Sequence, residues 1–235
     1  MIFEETVSVR MSDCDRTGKL SYEGILQVLE TAGSHHSDAV GDNMVDSSRA
    51  GIAWIIADWR VAISRRPETG ESLHIATWVR GKAPSSVLFR EFRVTDGDDR
   101  ELIRGEARLT LVNTETGRII RITQDRLDTY GAEADRIFPD EMPRLRAPET
   151  WDREQPLSLR HSDIDYNGHV HNTRYVSLAQ ETQDSIREYQ GLSVHYGTPI
   201  LEGSTVTLRS AGTADGEMVG LCAGDKLCAL VRFEA

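Results

Sequence analysis

Three side chains with complementary chemistry stand at alternate positions in the second half of the chain, namely Asp165, Asn167 and His169. A carboxylate can act as a base or a nucleophile, and an imidazole can polarise water or carry a proton because it titrates near neutral pH. An asparagine amide can hold a water molecule or orient a partner. Together the three are compatible with attack on a carbonyl carbon, although the residue types do not decide whether Asp165 or His169 removes the proton.

Attack on a carbonyl also needs hydrogen-bond donors for the oxyanion that develops in the transition state. The backbone N–H groups of Gly168, His169 and Val170 approach a predicted helix start, where free amides favour negative charge. We therefore predict that Gly168 and Val170 contact the substrate through their amides, beside that of His169.

The motif occurs twice in the chain, 150 residues apart. Five residues are identical at this spacing, in the pairs Arg10 and Arg160, Ser12 and Ser162, Asp13 and Asp163, Asp15 and Asp165, and Gly18 and Gly168. The first copy has Thr17 and Lys19 where the second has Asn167 and His169. We infer that Asp163 and its counterpart bond a turn or a helix start. Catalysis is then expected in the second copy.

Each copy of the motif runs into an apolar pattern of helical period. The apolar positions are Tyr22, Ile25, Leu26, Leu29 and Ala32 in the first half, and Tyr175, Ala179, Ile186 and Tyr189 in the second. Ser21 and Asn172 precede the two runs and are predicted N-caps, because their side chains can accept from free amides of a first helical turn.

After each helix the period changes from 3.6 to 2, which is typical of strands. Predicted strands cover residues 53–63, 73–80, 87–95, 102–112, 192–196, 205–211, 217–223 and 226–234. The segment 124–154 is charged and has several prolines, which is typical of a linker. The sequence thus predicts an α+β protein of two domains, 1–123 and 155–235, each with an antiparallel sheet wrapped around one long helix.

Charge and composition exclude several classes of partner. A formal charge of −11 argues against nucleic-acid binding. No stretch approaches the roughly 20 apolar residues of a membrane span, and the N-terminus lacks the regions of a signal peptide, so we predict a cytoplasmic protein without a span. The cysteines Cys14, Cys222 and Cys228 show no paired spacing and predict neither a disulfide framework nor a zinc site.

The segment from Asp163 to Tyr175 resembles the second-domain motif of the plant and bacterial acyl-ACP thioesterases, an Asp-x-Asn-x-His core followed by an asparagine at a helix start. Further likeness lies at residues 15–17, 29–32, 77–79 and 111–116, so the resemblance covers nearly the whole chain. It implies a tandem (double) hotdog fold. It also implies hydrolysis of fatty-acyl thioesters on acyl carrier protein to free fatty acid, without a cofactor, which ends fatty acid synthesis. By position, Asp165, Asn167 and His169 inherit the catalytic roles.

The resemblance assigns the acyl pocket to the first half of the chain. Trp54, Trp59 and Trp78 fall on predicted strands there and could line that pocket, although ordinary core positions are the alternative. An acidic carrier would need a local basic patch. The candidate is the arginine-rich stretch of Arg60, Arg65, Arg66, Arg80 and Lys82, for which a solvated strand edge is the alternative.

One departure from the family concerns a carboxylate. Plant members carry a glutamate and often a cysteine downstream of the histidine, where this chain has Pro199 and Ile200. The function of that glutamate is therefore absent, or it is supplied by Glu202 or by Glu181 on the predicted helix.

Other functions are also compatible with these residues. One is a hotdog hydrolase acting on acyl-CoA, and another is a non-catalytic acyl-binding sensor, against which the pairing of Asn167 with His169 argues. His161, His169 and His171 with their neighbouring aspartates could also be imagined as a metal site, but the family likeness explains them without metal. The protein is expected to be a monomer or a homodimer.

Overall fold

The computed structural model describes residues 1–185 and 187–235, so Ile186 of the predicted second helix lies outside the described residues. The chain divides into two compact units, Met1–Met142 and Pro143–Ala235, and the boundary falls inside the predicted linker 124–154. Each unit has antiparallel strands and a helix, as the predicted α+β class requires.

The first unit contains one antiparallel sheet and three helices. Its elements in chain order are β1 (Phe3–Ser8), α1 (Tyr22–Ala39), α2 (Met44–Arg49), β2 (Ile52–Ile63), β3 (Ser72–Arg80), β4 (Leu88–Thr95), β5 (Glu101–Asn113), β6 (Ile119–Ile120) and α3 (Gln124–Thr129). The strands pair in the order β1, β3, β4, β5 and β2, and β6 adds to β5. The strands predicted for this half are confirmed to within one residue at each end.

Helix α1 lies close against the sheet. Its predicted N-cap is confirmed, because the Ser21 hydroxyl accepts from the N–H of Gly24 at 2.9 Å. Two glycines permit the close approach: a Cβ at Gly105 would lie 2.9 Å from a methyl group of Leu29, and one at Gly33 would lie 3.0 Å from Arg90. The apolar side of α1 is thereby buried on the sheet.

Part of the predicted linker packs onto the first unit. Leu127 and Tyr130, in and beside α3, are buried, and so are Ile137 and Phe138. The latter two cover Trp78. Apolar burial therefore continues well beyond residue 123.

The second unit repeats the arrangement with fewer helical residues. Its elements are β7 (Arg153–Leu157), α4 (Arg174–Gln180), β8 (Gly191–Tyr196), β9 (Val206–Thr213), β10 (Gly216–Ala223) and β11 (Lys226–Glu234). The antiparallel strands pair in the order β8, β11, β10, β9 and β7. Helix α4 packs against β10 and β11. The strands predicted here are confirmed, each extending by at most two residues beyond its prediction.

Two expectations about the second helix are wrong. It has seven residues and ends at Gln180, whereas Tyr189 is buried outside it, with its ring 5.0 Å from that of Phe233. Asn172 is not the N-cap, because a turn intervenes and Thr173 occupies that position. The carbonyl of Asn172 instead accepts from the Tyr196 hydroxyl at 2.8 Å.

No helix in the ranges 1–185 and 187–235 is long and apolar enough to cross a bilayer.

A buried polar cluster lies near the end of α1. The imidazole of His36 is fully buried, stacks on Phe3 at 5.5 Å, and accepts from the guanidinium of Arg90 at 2.9 Å through Nδ1. Burial and the positive charge of Arg90 lower the pKa of His36 to about 4. This histidine is therefore neutral in the folded protein at neutral pH.

The His36 cluster predicts acid sensitivity. In the unfolded chain the pKa of a histidine is about 6.5, so as pH falls the unfolded state binds the proton first. The free energy of unfolding should decrease between about pH 6.5 and pH 4, by up to about 1.4 kcal/mol per pH unit. His36→Gln keeps an acceptor for Arg90 but does not titrate. Chemical denaturation across this range should give a shallower pH dependence for the variant, and equal slopes would contradict the assignment.

Candidate active site

The candidate catalytic residues lie in one tight turn that follows a short 3-10 turn, His161–Asp163. The N–H of Asp165 donates to the carbonyl of His169 at 2.7 Å, and the N–H of Gly168 donates back to the carbonyl of Asp165 at 3.0 Å. Gly168 has φ 75°, a left-handed conformation that glycine adopts without the clash of a Cβ. The local sequence thus closes the turn.

The carboxylate of Asp165 brings the three predicted residues together. Its Oδ1 accepts the backbone N–H of Asn167 at 2.8 Å and that of His169 at 3.2 Å. Its Oδ2 lies 3.4 Å from the side-chain amide of Asn167. The half-buried His169 ring makes no hydrogen bond or ion pair with any side chain in the described ranges, so its nitrogens can engage a reactant.

The backbone beyond the turn is extended and pairs with a distant segment. The N–H of Val170 donates to the carbonyl of Ile200 at 2.8 Å, and the N–H of Glu202 donates to the carbonyl of Gly168 at 3.1 Å. His169 forms a β-bridge with Leu201 between these two bonds. Residues 168–170 are thus held by residues 200–202, called here the counter-segment.

This pairing involves the amides of the predicted oxyanion site. The N–H groups of Gly168, His169 and Val170 donate to the carbonyl of Asp165, the carboxylate of Asp165 and the carbonyl of Ile200 respectively. Helix α4 begins only at Arg174, so these amides are not free groups of a first helical turn. In this conformation each of the three amides already has an acceptor, so a contact with an oxyanion would require one of these hydrogen bonds to be exchanged.

The two candidate glutamates lie in different places. Glu202 belongs to the counter-segment, and its exposed carboxylate is 3.7 Å from the ring of His161. Glu181 is exposed at the C-terminal end of α4, about 12 Å along the axis from its N-terminal end. Of the two, only Glu202 is held beside the turn that contains Asp165 and His169.

The remaining polar residues of the motif support the turn. Asp163 is buried, and its carboxylate accepts the backbone N–H of Arg160 at 2.8 Å. The ring of His171 lies 3.1 Å from the Thr173 hydroxyl, just before α4. His161 is fully exposed.

The first copy of the motif forms the same turn. The N–H of Asp15 donates to the carbonyl of Lys19 at 2.9 Å, and its Oδ1 accepts the N–H of Thr17 at 2.8 Å. Gly18 has φ 79°, close to the value at its counterpart. The N–H of Leu20 donates to the carbonyl of Pro67 at 2.7 Å, so Pro67 corresponds to Ile200.

The two copies differ at the residue before that carbonyl, which is Arg66 in the first and Pro199 in the second. The buried guanidinium of Arg66 bonds Asp15 Oδ2 at 2.5 Å and the carbonyl of Leu20 at 3.2 Å. Burial would raise the pKa of Asp15, but the hydrogen bonds from Thr17 and Arg66 outweigh it and lower the pKa. Pro199 offers Asp165 no such cation. The sequence suggested Arg66 only as part of the basic patch, although an alignment of Arg66-Pro67 with Pro199-Ile200 could have indicated its place beside Asp15.

The three tryptophans have different environments within the first unit. Trp59 is buried with its ring 5.5 Å from that of Phe92. Trp78 is buried, and its indole N–H donates to the carbonyl of Asp135 at 2.9 Å. Trp54 is half-buried, and its indole N–H donates to Asp42 at 2.9 Å. Trp59 and Trp78 are thus buried, and of the three Trp54 alone retains appreciable exposed surface.

The predicted basic patch is largely neutralised inside the first unit. Four of its five cations form ion pairs, namely Arg60–Asp140 (3.1 Å), Arg65–Glu71 (2.6 Å), Arg66–Asp15 (2.5 Å) and Arg80–Glu91 (2.6 Å). The predicted local excess of positive charge is therefore not found at these four arginines, because carboxylates of the same unit pair with them.

Sequence comparisons place the chain among known proteins. The model of the acyl-ACP thioesterase N-terminal domain matches residues 1–130, and that of the C-terminal domain matches residues 147–221. The chloroplastic dodecanoyl-[acyl-carrier-protein] hydrolase of Umbellularia californica is 27% identical over 207 residues, covering 82% of this chain and 54% of that protein. The chloroplastic oleoyl-acyl carrier protein thioesterase 1 of Arabidopsis thaliana is 24% identical over 246 residues, covering 91% and 66%. The chain spans about half to two thirds of the length of these curated relatives.

The fold also matches a solved structure, that of the 12:0-ACP thioesterase from Umbellularia californica. The TM-score is 0.85 at 24% identity, and the match covers 99% of this chain and 96% of the other. The predicted α+β tandem hotdog fold is confirmed by this likeness. With both of its domain models matched in sequence order, the chain belongs to the acyl-ACP thioesterase family.

Proposed function

We propose that the protein hydrolyses fatty acyl-ACP thioesters to free fatty acid and holo-ACP, thereby ending fatty acid synthesis. Family membership and the names of the relatives support this proposal. The observation that carries it is the second-copy turn, in which one carboxylate holds Asn167 and His169. The first copy has neither side chain, and its carboxylate is bound to Arg66.

In the proposed mechanism His169 is the general base. Asp165 already accepts two backbone N–H groups at one oxygen, which suits it to orient the turn. The imidazole removes a proton from water as the water oxygen attacks the thioester carbonyl carbon. The tetrahedral intermediate then collapses, the carbon–sulfur bond breaks, and the imidazolium returns the proton to the leaving thiolate. A direct nucleophilic attack by Asp165 is the alternative.

The amide of Asn167 is our candidate for contacting the oxyanion or the attacking water. Its 3.4 Å contact with Asp165 is long for a hydrogen bond, so it can be exchanged for a reactant. Glu202 is the candidate for the missing family carboxylate, because it lies in the counter-segment whereas Glu181 does not. Trp54, Trp59 and Trp78 remain candidate lining residues of an acyl pocket in the first half.

The acyl carrier partner, a cytoplasmic location and a monomeric or homodimeric state remain predictions. Hydrolysis of acyl-CoA is the second candidate, since the turn of Asp165, Asn167 and His169 would act on the thioester, which both carriers share. Kinetics with matched acyl-ACP and acyl-CoA of several chain lengths should give a higher kcat/KM for the carrier-bound substrate. Equal or reversed values would favour the CoA ester, and binding without hydrolysis would favour a sensor.

His169→Ala should abolish most of the activity, because the proposed mechanism assigns the transfer of the proton to its imidazole. We expect kcat to fall by about 100- to 10,000-fold. The matched control is Lys19→Ala, at the corresponding position of the first copy, which should leave kcat within about twofold. The activity of both variants is measured by profiling the free fatty acids released on expression in bacteria, and the same profile gives the chain-length preference. Equal losses in the two would contradict the assignment.

Substitution of Asp165 should mainly lower activity, whereas substitution of Asp15 should mainly lower the free energy of unfolding. Asp165→Asn weakens the bonds that orient His169, so kcat should fall by about 100-fold with a small change in the free energy of unfolding. Asp15→Asn removes one carboxylate partner of the buried Arg66 guanidinium, so the free energy of unfolding should fall by about 3 kcal/mol while the folded protein stays active. Denaturation curves and initial rates measure the two effects. The reverse pattern would place the site in the first copy.

A further inference from the structure

Tyr175 connects the start of α4 to the counter-segment. Its side chain is 3% exposed, and its ring lies edge-on to that of Tyr196 at 5.4 Å. The phenolic oxygen accepts the backbone N–H of Ile200 at 2.9 Å. One buried hydrogen bond therefore joins the helix that follows the catalytic turn to the segment that pairs with it.

Tyr175 binds Ile200, and Ile200 in turn binds the backbone that follows the turn. Ile200 is fully buried, and its carbonyl accepts the N–H of Val170 at 2.8 Å. The next residue, Leu201, forms the β-bridge with His169. A displacement of Ile200 would therefore be passed directly to the backbone of His169.

In the first copy the turn is held by an arginine. Pro67 stands in place of Ile200 and has no N–H, so a tyrosine hydroxyl would have nothing to accept there. Arg66 binds the turn instead, through the carbonyl of Leu20 and the carboxylate of Asp15.

A tyrosine has an advantage over an arginine at a catalytic turn. Burial, with smaller contributions from Cys228 and Asp165, raises the pKa of Tyr175 to about 12, so the phenol stays neutral at physiological pH. It holds the backbone without placing a cation on the carboxylate.

We propose that Tyr175 is a positioning residue for the reaction, acting through the N–H of Ile200 to keep His169 in register with Asp165. This inference rests on the proposed function, because it concerns the same turn.

Tyr175→Phe removes the hydroxyl and keeps the ring. We expect kcat to fall by about 10- to 100-fold, because small displacements of a reacting group are costly, while KM stays within about twofold. The control is Tyr189→Phe, at another buried tyrosine of the second unit, which should leave kcat and KM unchanged. A lower Tm with kcat within twofold of wild type would overturn the proposal, since that pattern indicates a structural role only.

A double-mutant cycle with Ile200→Pro tests the route of action. This substitution removes the N–H and installs the residue found at the matching place in the first copy. In that background Tyr175→Phe should change kcat by less than about twofold, because the bond is already absent. An additive loss would overturn the proposal in favour of direct contact between the hydroxyl and the substrate. Should Ile200→Pro not fold, the kcat and KM values of Tyr175→Phe alone decide.

Wild type and His169→Ala belong in the same assay. If wild type hydrolyses neither acyl-ACP nor acyl-CoA, the proposed function and this inference fail together. If His169→Ala is inactive while Tyr175→Phe is fully active, this inference alone fails.

Discussion

The carboxylate of Asp165 is the group on which the candidate site depends. Its two hydrogen bonds to the N–H groups of Asn167 and His169 are charge-assisted, and such bonds are about twice as strong as neutral ones. The backbone of His169 is held from one side by this carboxylate and from the other by the counter-segment. Only the side-chain torsions of the imidazole remain to be set. The same charge can orient the amide of Asn167, so one group organises the whole turn.

Much of this arrangement is local and could be predicted from the sequence. The alternation of apolar residues predicted the strands, and the repeated motif predicted the paired turns. Both kinds of element are set mainly by residues close together in the chain. The differences between prediction and structure concern long-range contacts. The N–H of Val170 is used by Ile200, and Arg60 is neutralised by Asp140, 80 residues away. The predicted second helix is longer than the observed one, because Tyr189 fits a helical period. In the structure Tyr189 lies outside the helix and is buried against Phe233.

The two copies show how one turn can be held in two ways. In the first, Arg66 satisfies both the carboxylate and a backbone carbonyl, which suits a purely structural element because a buried charge is costly unless it is paired. In the second, the arginine is replaced by Pro199, and Tyr175 supplies a neutral bond at the adjacent residue. The exchange keeps the backbone path while changing the electrostatics around the aspartate.

The replacement of Arg66 by Pro199 matters because an ion pair that stabilises the turn would also alter the electrostatics on which catalysis depends. A guanidinium on Asp165 would stabilise the turn, but it would also compete with the Asn167 amide for Oδ2 and bring a positive charge close to His169. A nearby cation disfavours protonation of an imidazole and so weakens it as a base. Because the turn is duplicated, the first copy can keep the ion pair between Arg66 and Asp15 while the second has Pro199 in place of the arginine. On this argument the loss of the arginine is as much a part of the candidate site as the presence of the histidine.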